Sequence, residues 1–94
     1  MDIEISFHQM ESSDVLRDYC HNKINRLTKY YARIESIRLV MEVIKLEHHI
    51  SATVHLPQKV VLRSDVSSKD MYESIDALMK KLERQLTDYK ETHG

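Results

Sequence analysis

The chain is short of the residues that cross-link, break or anchor a fold. Among its 94 residues there is one cysteine (Cys20), one glycine (Gly94), one proline (Pro57) and no tryptophan. A single thiol excludes an intrachain disulfide and a zinc site made of thiolates alone, and it fits a reducing compartment. With one glycine, at the last position, no glycine-rich loop exists to cradle nucleotide phosphates. No segment approaches the ~20 apolar residues of a membrane-spanning helix. The opening Met1-Asp2-Ile3-Glu4 is acidic and alternating, whereas a secretory signal opens with bases and an apolar run. The expectation is a single cytoplasmic domain over residues 1–94, with no membrane partner. Aromatics are also few, five Tyr and one Phe, and several fall on core positions. That argues against a platform of stacked single-stranded bases.

What the chain does contain is unevenly spread charge. Hydrophobic residues make up 41% and charged residues 31%, the balance of a folded domain, and the net charge is only -1. Residues 1–14 nevertheless carry four acids and no bases, whereas residues 15–38 carry six bases and two acids. Residues 39–66 balance, and residues 67–94 hold five bases and six acids. One helix-length segment is therefore basic in a near-neutral protein, and local rather than total charge attracts phosphate.

Hydrophobic periodicity supplies the elements. Ile3, Ile5 and Phe7 alternate with polar residues, a half-buried strand over 3–8. Ser13 is a natural helix N-cap, with Asp14 favourable in the first turn. Leu16, Cys20, Ile24, Leu27 and Tyr31 then form one face of a helix of about five turns. Ile37–Ile44 reads as a strand apolar on both faces and therefore central, and Glu47-His48-His49 as the turn after it. Ile50–Leu56 is a cleaner half-buried strand that ends at Pro57-Gln58, and Val60, Leu62 and Val66 make a fourth. The three consecutive strands form an antiparallel meander. Asp70 and Glu73 have capping-box spacing, and Met71, Ile75, Leu78, Leu82, Leu86 and Tyr89 form the stripe of a last helix, with a few loose residues around Gly94. The fold class expected is α+β in the order β-α-β-β-β-α. It is a four-stranded sheet with two helices packed on one face, similar to a double-stranded-RNA-binding domain.

At about 100° per residue, Arg26, Lys29 and Arg33 share the side of the first helix opposite its apolar stripe, with Lys23 and Arg17 on the flanks. On the last helix Lys80 and Arg84 face away from the core, with Lys81 nearby. Two helices on one side of a sheet would present these bases to the same solvent region. Lys and Arg side chains suit phosphate tracks, and a duplex-like RNA is recognised mainly by shape and backbone. The same rows are also what an ordinary solvated helix face looks like, and Glu73, Asp76 and Glu83 interleave on the last helix.

Catalytic and metal chemistry find little support. His48, His49 and His55 fall on one expected hairpin, where His49 and His55 could approach each other. Adjacent His48 and His49 point to opposite faces of an extended strand, so no metal or cofactor site is expected. Cys20 lies on the core stripe, the place of an inert thiol rather than a nucleophile. No enzyme is expected.

The segment from Asp70 to Leu86 carries Asp-Met-Tyr, then Ile-Asp, then Lys-Leu-x-Arg-Gln-Leu. It closely resembles the signature helix of the ribosome hibernation promoting factor family, which includes the ribosome-associated inhibitor and is also called the sigma-54 modulation family. Leu16-Arg17-Asp18-Tyr19, Lys23, Leu27, Tyr30 or Tyr31, and Ile34 are similar to its first helix. The resemblance spans essentially the whole chain. It implies binding to 16S ribosomal RNA in the messenger and transfer RNA channel of the small ribosomal subunit, inhibition of translation, and promotion of inactive ribosome dimers. Carried onto matching positions, it implies phosphate contacts from Arg17, Lys23, Arg26, Lys81, Arg84 and Lys90, and the charge map adds Lys29, Arg33 and Lys80. The chain departs from the family at Thr87 and Asp88, where further basic residues usually follow. The resemblance is to the short form, a monomer off the ribosome that acts with a separate ribosome modulation factor. Two alternatives stay open: an inhibitor that blocks without dimerising ribosomes, and a protein-interaction module using Val40, Ile44 and Leu46.

Overall fold

A computed structural model describes the backbone of residues 1–93 and the side chains of residues 1–92. The elements run β1 (Asp2–His8), α1 (Asp14–Leu27), β2 (Ser36–Ile44), β3 (Glu47–Leu56), a short 3-10 turn (Pro57–Lys59), β4 (Val60–Ser68) and α2 (Met71–His93). The four strands lie in one sheet in the order β1-β2-β3-β4. β1 runs parallel to β2, a pairing that needs a crossover, and α1 supplies it. The β2-β3 and β3-β4 pairs are antiparallel, so the expected meander is present with β2 in the interior.

Register puts one apolar row from each of the four strands on a common face, while Val40, Ile44 and Val61 lie on the other. Ile5 lies opposite Leu39, and Leu39 lies opposite Ala52. Phe7 pairs with Met41, Met41 with Ile50, and Ile50 with Val66. The buried stripes of both helices, Leu16, Cys20, Ile24 and Leu27 from α1 and Met71, Ile75, Leu78, Leu82 and Leu86 from α2, join these strands in a single cluster. One polar side chain is fully buried with them. Ser74 Oγ donates to the His48 carbonyl at 2.6 Å and lies within hydrogen-bond distance of Ser68 Oγ, which ties the start of α2 to β3 and β4. The Leu16 amide donates to Ser13 Oγ at 3.2 Å and the Tyr72 amide to Asp70 Oδ1 at 3.2 Å, as the sequence implies, but the Asp70 amide donates to Ser68 Oγ at 3.3 Å rather than to Glu73, so only the Asp70 half of the expected capping box is formed.

Three local features differ from expectation. α1 has 14 residues rather than five turns. It stops at Thr28, after which the Lys29 and Tyr30 amides close three-residue turns onto Arg26 and Leu27 carbonyls. Tyr31 still reaches the core at 6% exposure, but from the following loop, so the periodicity outlasts the helix. The β2-β3 connection is a two-residue turn at Lys45-Leu46, and Glu47, His48 and His49 are paired strand residues opposite Ile44, Val43 and Glu42. Lys45 adopts φ 57, the left-handed backbone that such a tight turn requires at its first position. The loose residues expected around Gly94 lie outside the described residues, and α2 runs through His93.

Candidate nucleic-acid interface

α1 and α2 lie side by side, and a polar latch joins them. Tyr19 Oη donates to Asp76 Oδ1 at 2.6 Å, and Lys23 Nζ lies 3.3 Å from the same oxygen. The Tyr19 and Tyr72 rings meet edge to face at 5.0 Å. The hydrogen bond from Tyr19 holds the Asp76 carboxyl below its usual range against partial desolvation, and Lys23 and Lys80 add to the effect. The same bond, with partial burial, raises the Tyr19 phenol. The latch thus fixes the spacing of the two helices and commits Lys23 to a partner.

From this latch four open hollows, linked by the lining residues they share, run along the helix pair and together form one shallow groove. Its first stretch is walled by Lys23 and Arg26 from α1 and by Asp76, Lys80 and Glu83 from α2. Arg26, Lys29 and Tyr30 form the next stretch. The groove then opens between Tyr30 and Lys29 on one side and Thr87 and Lys90 on the other. It ends in a hollow to which Arg33, Tyr31 and Tyr89 contribute. Six of the nine basic residues expected to bind RNA therefore share one groove: Lys23, Arg26, Lys29, Arg33, Lys80 and Lys90. Three acids, Asp76, Glu83 and Glu91, lie on the same walls and moderate the field.

The other three expected residues lie elsewhere. Arg17 is half-buried over the Phe7 ring, 5.2 Å from its centroid, and 3.4 Å from Asp14. Lys81 is one helical step, ~100°, from Lys80 and so points toward the sheet edge. There its Nζ donates to the Asp65 carbonyl at 3.1 Å, while Gln85 Nε2 donates to the Arg63 carbonyl at 3.1 Å. Together they cover the outer edge of β4, which would otherwise offer bare carbonyls to another strand. Arg84 is exposed on α2 and lines none of the groove. Sequence reasoning missed Tyr30, which is 47% exposed at the middle of the groove. The usable signal was the pair Tyr30-Tyr31: only one of two adjacent rings can follow the core stripe, and the other must face the bases.

The opposite face of the sheet is polar and open. Arg38 lies 3.6 Å from Glu4, and His49 lies 2.9 Å from Asp65. His49 and His55 do not approach each other across a hairpin as expected. Both lie on β3, six residues apart, which at strand rise is about 20 Å. No group of metal-ligating side chains gathers among the described residues. Ile44 and Leu46 are exposed at the β2-β3 turn, while Val40 is half-buried further along β2. Cys20 is fully buried, and desolvation pushes its thiol up to about 12. No described helix is long and apolar enough to cross a membrane.

Comparison with known proteins agrees with this fold. The family model described as sigma 54 modulation protein / S30EA ribosomal protein matches residues 3–93. A ribosome hibernation promoting factor from Azotobacter vinelandii is 43% identical over 91 residues, covering 97% of this chain and 84% of that protein. One from Escherichia coli (strain K12) is 33% identical over 91 residues, covering 97% and 95%. The solved structure of a ribosomal subunit interface protein from Coxiella burnetii superposes with a TM-score of 0.90 at 32% identity, covering 97% of this chain and 99% of that one. The N-terminal domain of Thermus thermophilus Protein Y gives 0.85 at 26% identity, covering 95% and 99%. The motif of α2, the order of elements and a match across nearly the whole sequence converge: the chain belongs to the sigma 54 modulation / S30EA ribosomal protein family, as do the hibernation promoting factors it resembles.

Proposed function

We propose that this protein is a ribosome hibernation factor that lays its two-helix groove on the RNA of the small ribosomal subunit and inhibits translation by occupying the channel for messenger and transfer RNA. The observation that carries the reading is the groove itself. Residues scattered between positions 23 and 90 converge on one face, and six of them are bases. A groove of mobile ammonium and forked guanidinium groups fits a phosphate backbone. The acids of β1, Asp2 and Glu4, are exposed on the far face of the sheet and turn that side away from phosphate. The mechanism is occlusion by a single domain, with no bond made or broken. The names of the relatives, hibernation promoting factors and a ribosomal subunit interface protein, support the reading.

The finer assignment is that 16S ribosomal RNA is the ligand, that Lys23, Arg26, Lys29, Arg33, Lys80 and Lys90 make the central contacts, and that Arg17 and Arg84 act at the periphery, while Lys81, bound to the Asp65 carbonyl at the sheet edge, makes no phosphate contact. Pairing of ribosomes into inactive dimers requires a separate modulation factor. Sucrose-gradient sedimentation with purified small subunits tests this at low and high salt, with and without that factor. Co-migration at low salt that is lost at high salt, and a dimer peak only when the factor is present, are the expected results. Absence of co-migration at every salt concentration would refute ribosome binding.

A further inference from the structure

We infer that Tyr30 is a stacking platform for one unpaired nucleotide, with Lys29, Arg33 and Lys90 placed for the phosphates on either side of it. The inference rests on the RNA-binding reading above and goes beyond backbone recognition. Among the described residues, Tyr30 is the one aromatic ring that lines three successive stretches of the groove, each of which also contains Lys29. At 47% exposure it leaves nearly half of a large apolar side chain in water, among cations, in a groove whose other two rings pack against each other. The position is backed by packed side chains. The adjacent Tyr31 is buried and meets the Tyr89 ring edge to face at 5.6 Å, and the Arg33 guanidinium lies over Tyr31 at 5.6 Å from its centroid. Backbone hydrogen bonds from Lys29 and Tyr30 back into α1, 3.1 and 3.0 Å long, fix the loop that presents the ring.

The chemistry of this arrangement selects its ligand. A bare cation cluster would hold any phosphate, and a bare tyrosine any apolar surface. A ring bordered by Lys29 and Lys90, with Arg33 on the same hollow, matches a planar base that carries a phosphate on each side. A duplex offers no free base face to such a ring, so the occupant is a nucleotide that has left its stack. One platform of this kind adds a point of register to a surface that otherwise reads only backbone.

The test compares small-subunit binding of the wild type with Tyr30→Phe and Tyr30→Ala, and adds a fluorescence measurement. Tyr30 is exposed, so neither substitution disturbs the core. Tyr30→Phe is expected to bind like the wild type, and Tyr30→Ala to bind roughly five- to one-hundred-and-fiftyfold more weakly with an unchanged salt slope, the range for loss of one stacked base. Because the chain has no tryptophan, Tyr30→Trp introduces a single indole, which can be excited selectively beside the four remaining tyrosines. Its lifetime should shorten on small subunits, whereas that of Thr53→Trp on the open sheet face should not. A single-stranded tetranucleotide should quench the indole of Tyr30→Trp, and the same backbone without bases should not. Wild-type affinity in Tyr30→Ala, or equal quenching by the baseless strand, would overturn the stacking inference while leaving RNA binding intact. Equal quenching by a free nucleoside monophosphate and by the tetranucleotide would overturn the strand assignment. Loss of all binding by the wild type would instead refute the reading beneath it.

Discussion

Removing the groove cations one at a time should change how steeply binding depends on salt, in an order set by what each cation already touches. Six cations neutralising phosphates give a log-log salt slope between about -4.2 and about -5.4, since each contact contributes ~0.7 for single strands and ~0.9 for duplex. Affinity should then fall by roughly three hundred- to two thousandfold between ~50 and ~200 mM salt. Arg26 lines two stretches of the groove and is exposed, so Arg26→Ala should reduce the slope by close to one full contact. Lys29→Ala and Lys90→Ala should behave alike. Lys23 already has the Asp76 carboxylate 3.3 Å away, so binding RNA releases less counterion there, and Lys23→Ala should change the slope by less than half as much. Lys81 donates to a backbone carbonyl at the sheet edge, and Lys81→Ala should leave the slope near the wild-type value. The assay is small-subunit binding by fluorescence anisotropy of a labelled protein, titrated at several salt concentrations. An unchanged slope in Arg26→Ala, or a larger change from Lys81→Ala than from Arg26→Ala, would refute the assignment of the groove as the phosphate track.

Other substitutions test the scaffold. Tyr19→Phe removes the hydrogen bond to Asp76 and should lower stability by about 1 kcal/mol in urea denaturation, below the ~1.5–3 kcal/mol of a bond to a charged group because the site is partly exposed. The folded protein holds Asp76 below its ordinary pKa, so this contribution is fully present above the ordinary carboxylate value near ~4 and is lost as pH falls through the depressed value; in Tyr19→Phe that acid-side loss should shrink. Leu82→Ala empties a fully buried site between α2 and the sheet and should cost about 2–5 kcal/mol by the same assay. Cys20 should resist a thiol reagent at pH 8 in the native state and react only on unfolding, because it is buried and its pKa is about 12. Lys45→Gly should stabilise the β2-β3 turn by several tenths of a kcal/mol or more, since glycine takes φ 57 without steric cost.

Most of the fold was legible because hydrophobic spacing and burial coincide. The α2 stripe beginning at Met71 and Ile75 is buried where its spacing places it, and the alternation of Ile50, Ala52 and Val54 marks the core face of β3. Where the reading went astray, a local pattern was shared by two structures. Tyr31 continues the helical period of α1 from outside the helix, because a loop residue that packs beneath the helix end occupies the same direction in space. The β2-β3 turn was misplaced because no glycine, asparagine or proline marks it; a lysine takes the left-handed position, and polar Glu47-His48-His49 looks more turn-like than it is. The interface was half legible. Helical angles group Arg26, Lys29 and Arg33 on α1, but which side of α2 meets them depends on how the two buried stripes seat the helices on the sheet, with the Tyr19-Asp76-Lys23 contact joining them at the surface. Neighbouring Lys80 and Lys81 therefore part company, one to the groove and one to the β4 edge.

Whether the helix groove is the surface that meets ribosomal RNA is measured most directly by directed hydroxyl-radical cleavage. An iron chelate is tethered to a cysteine placed either at Thr87, in the groove, or at Thr53, on the open sheet face. Native Cys20 is buried and does not compete for the tether. Discrete cuts in small-subunit ribosomal RNA from Thr87→Cys, with weak or no cutting from Thr53→Cys, are the predicted result. Strong cutting from Thr53→Cys with none from Thr87→Cys would contradict it and place the RNA on the sheet.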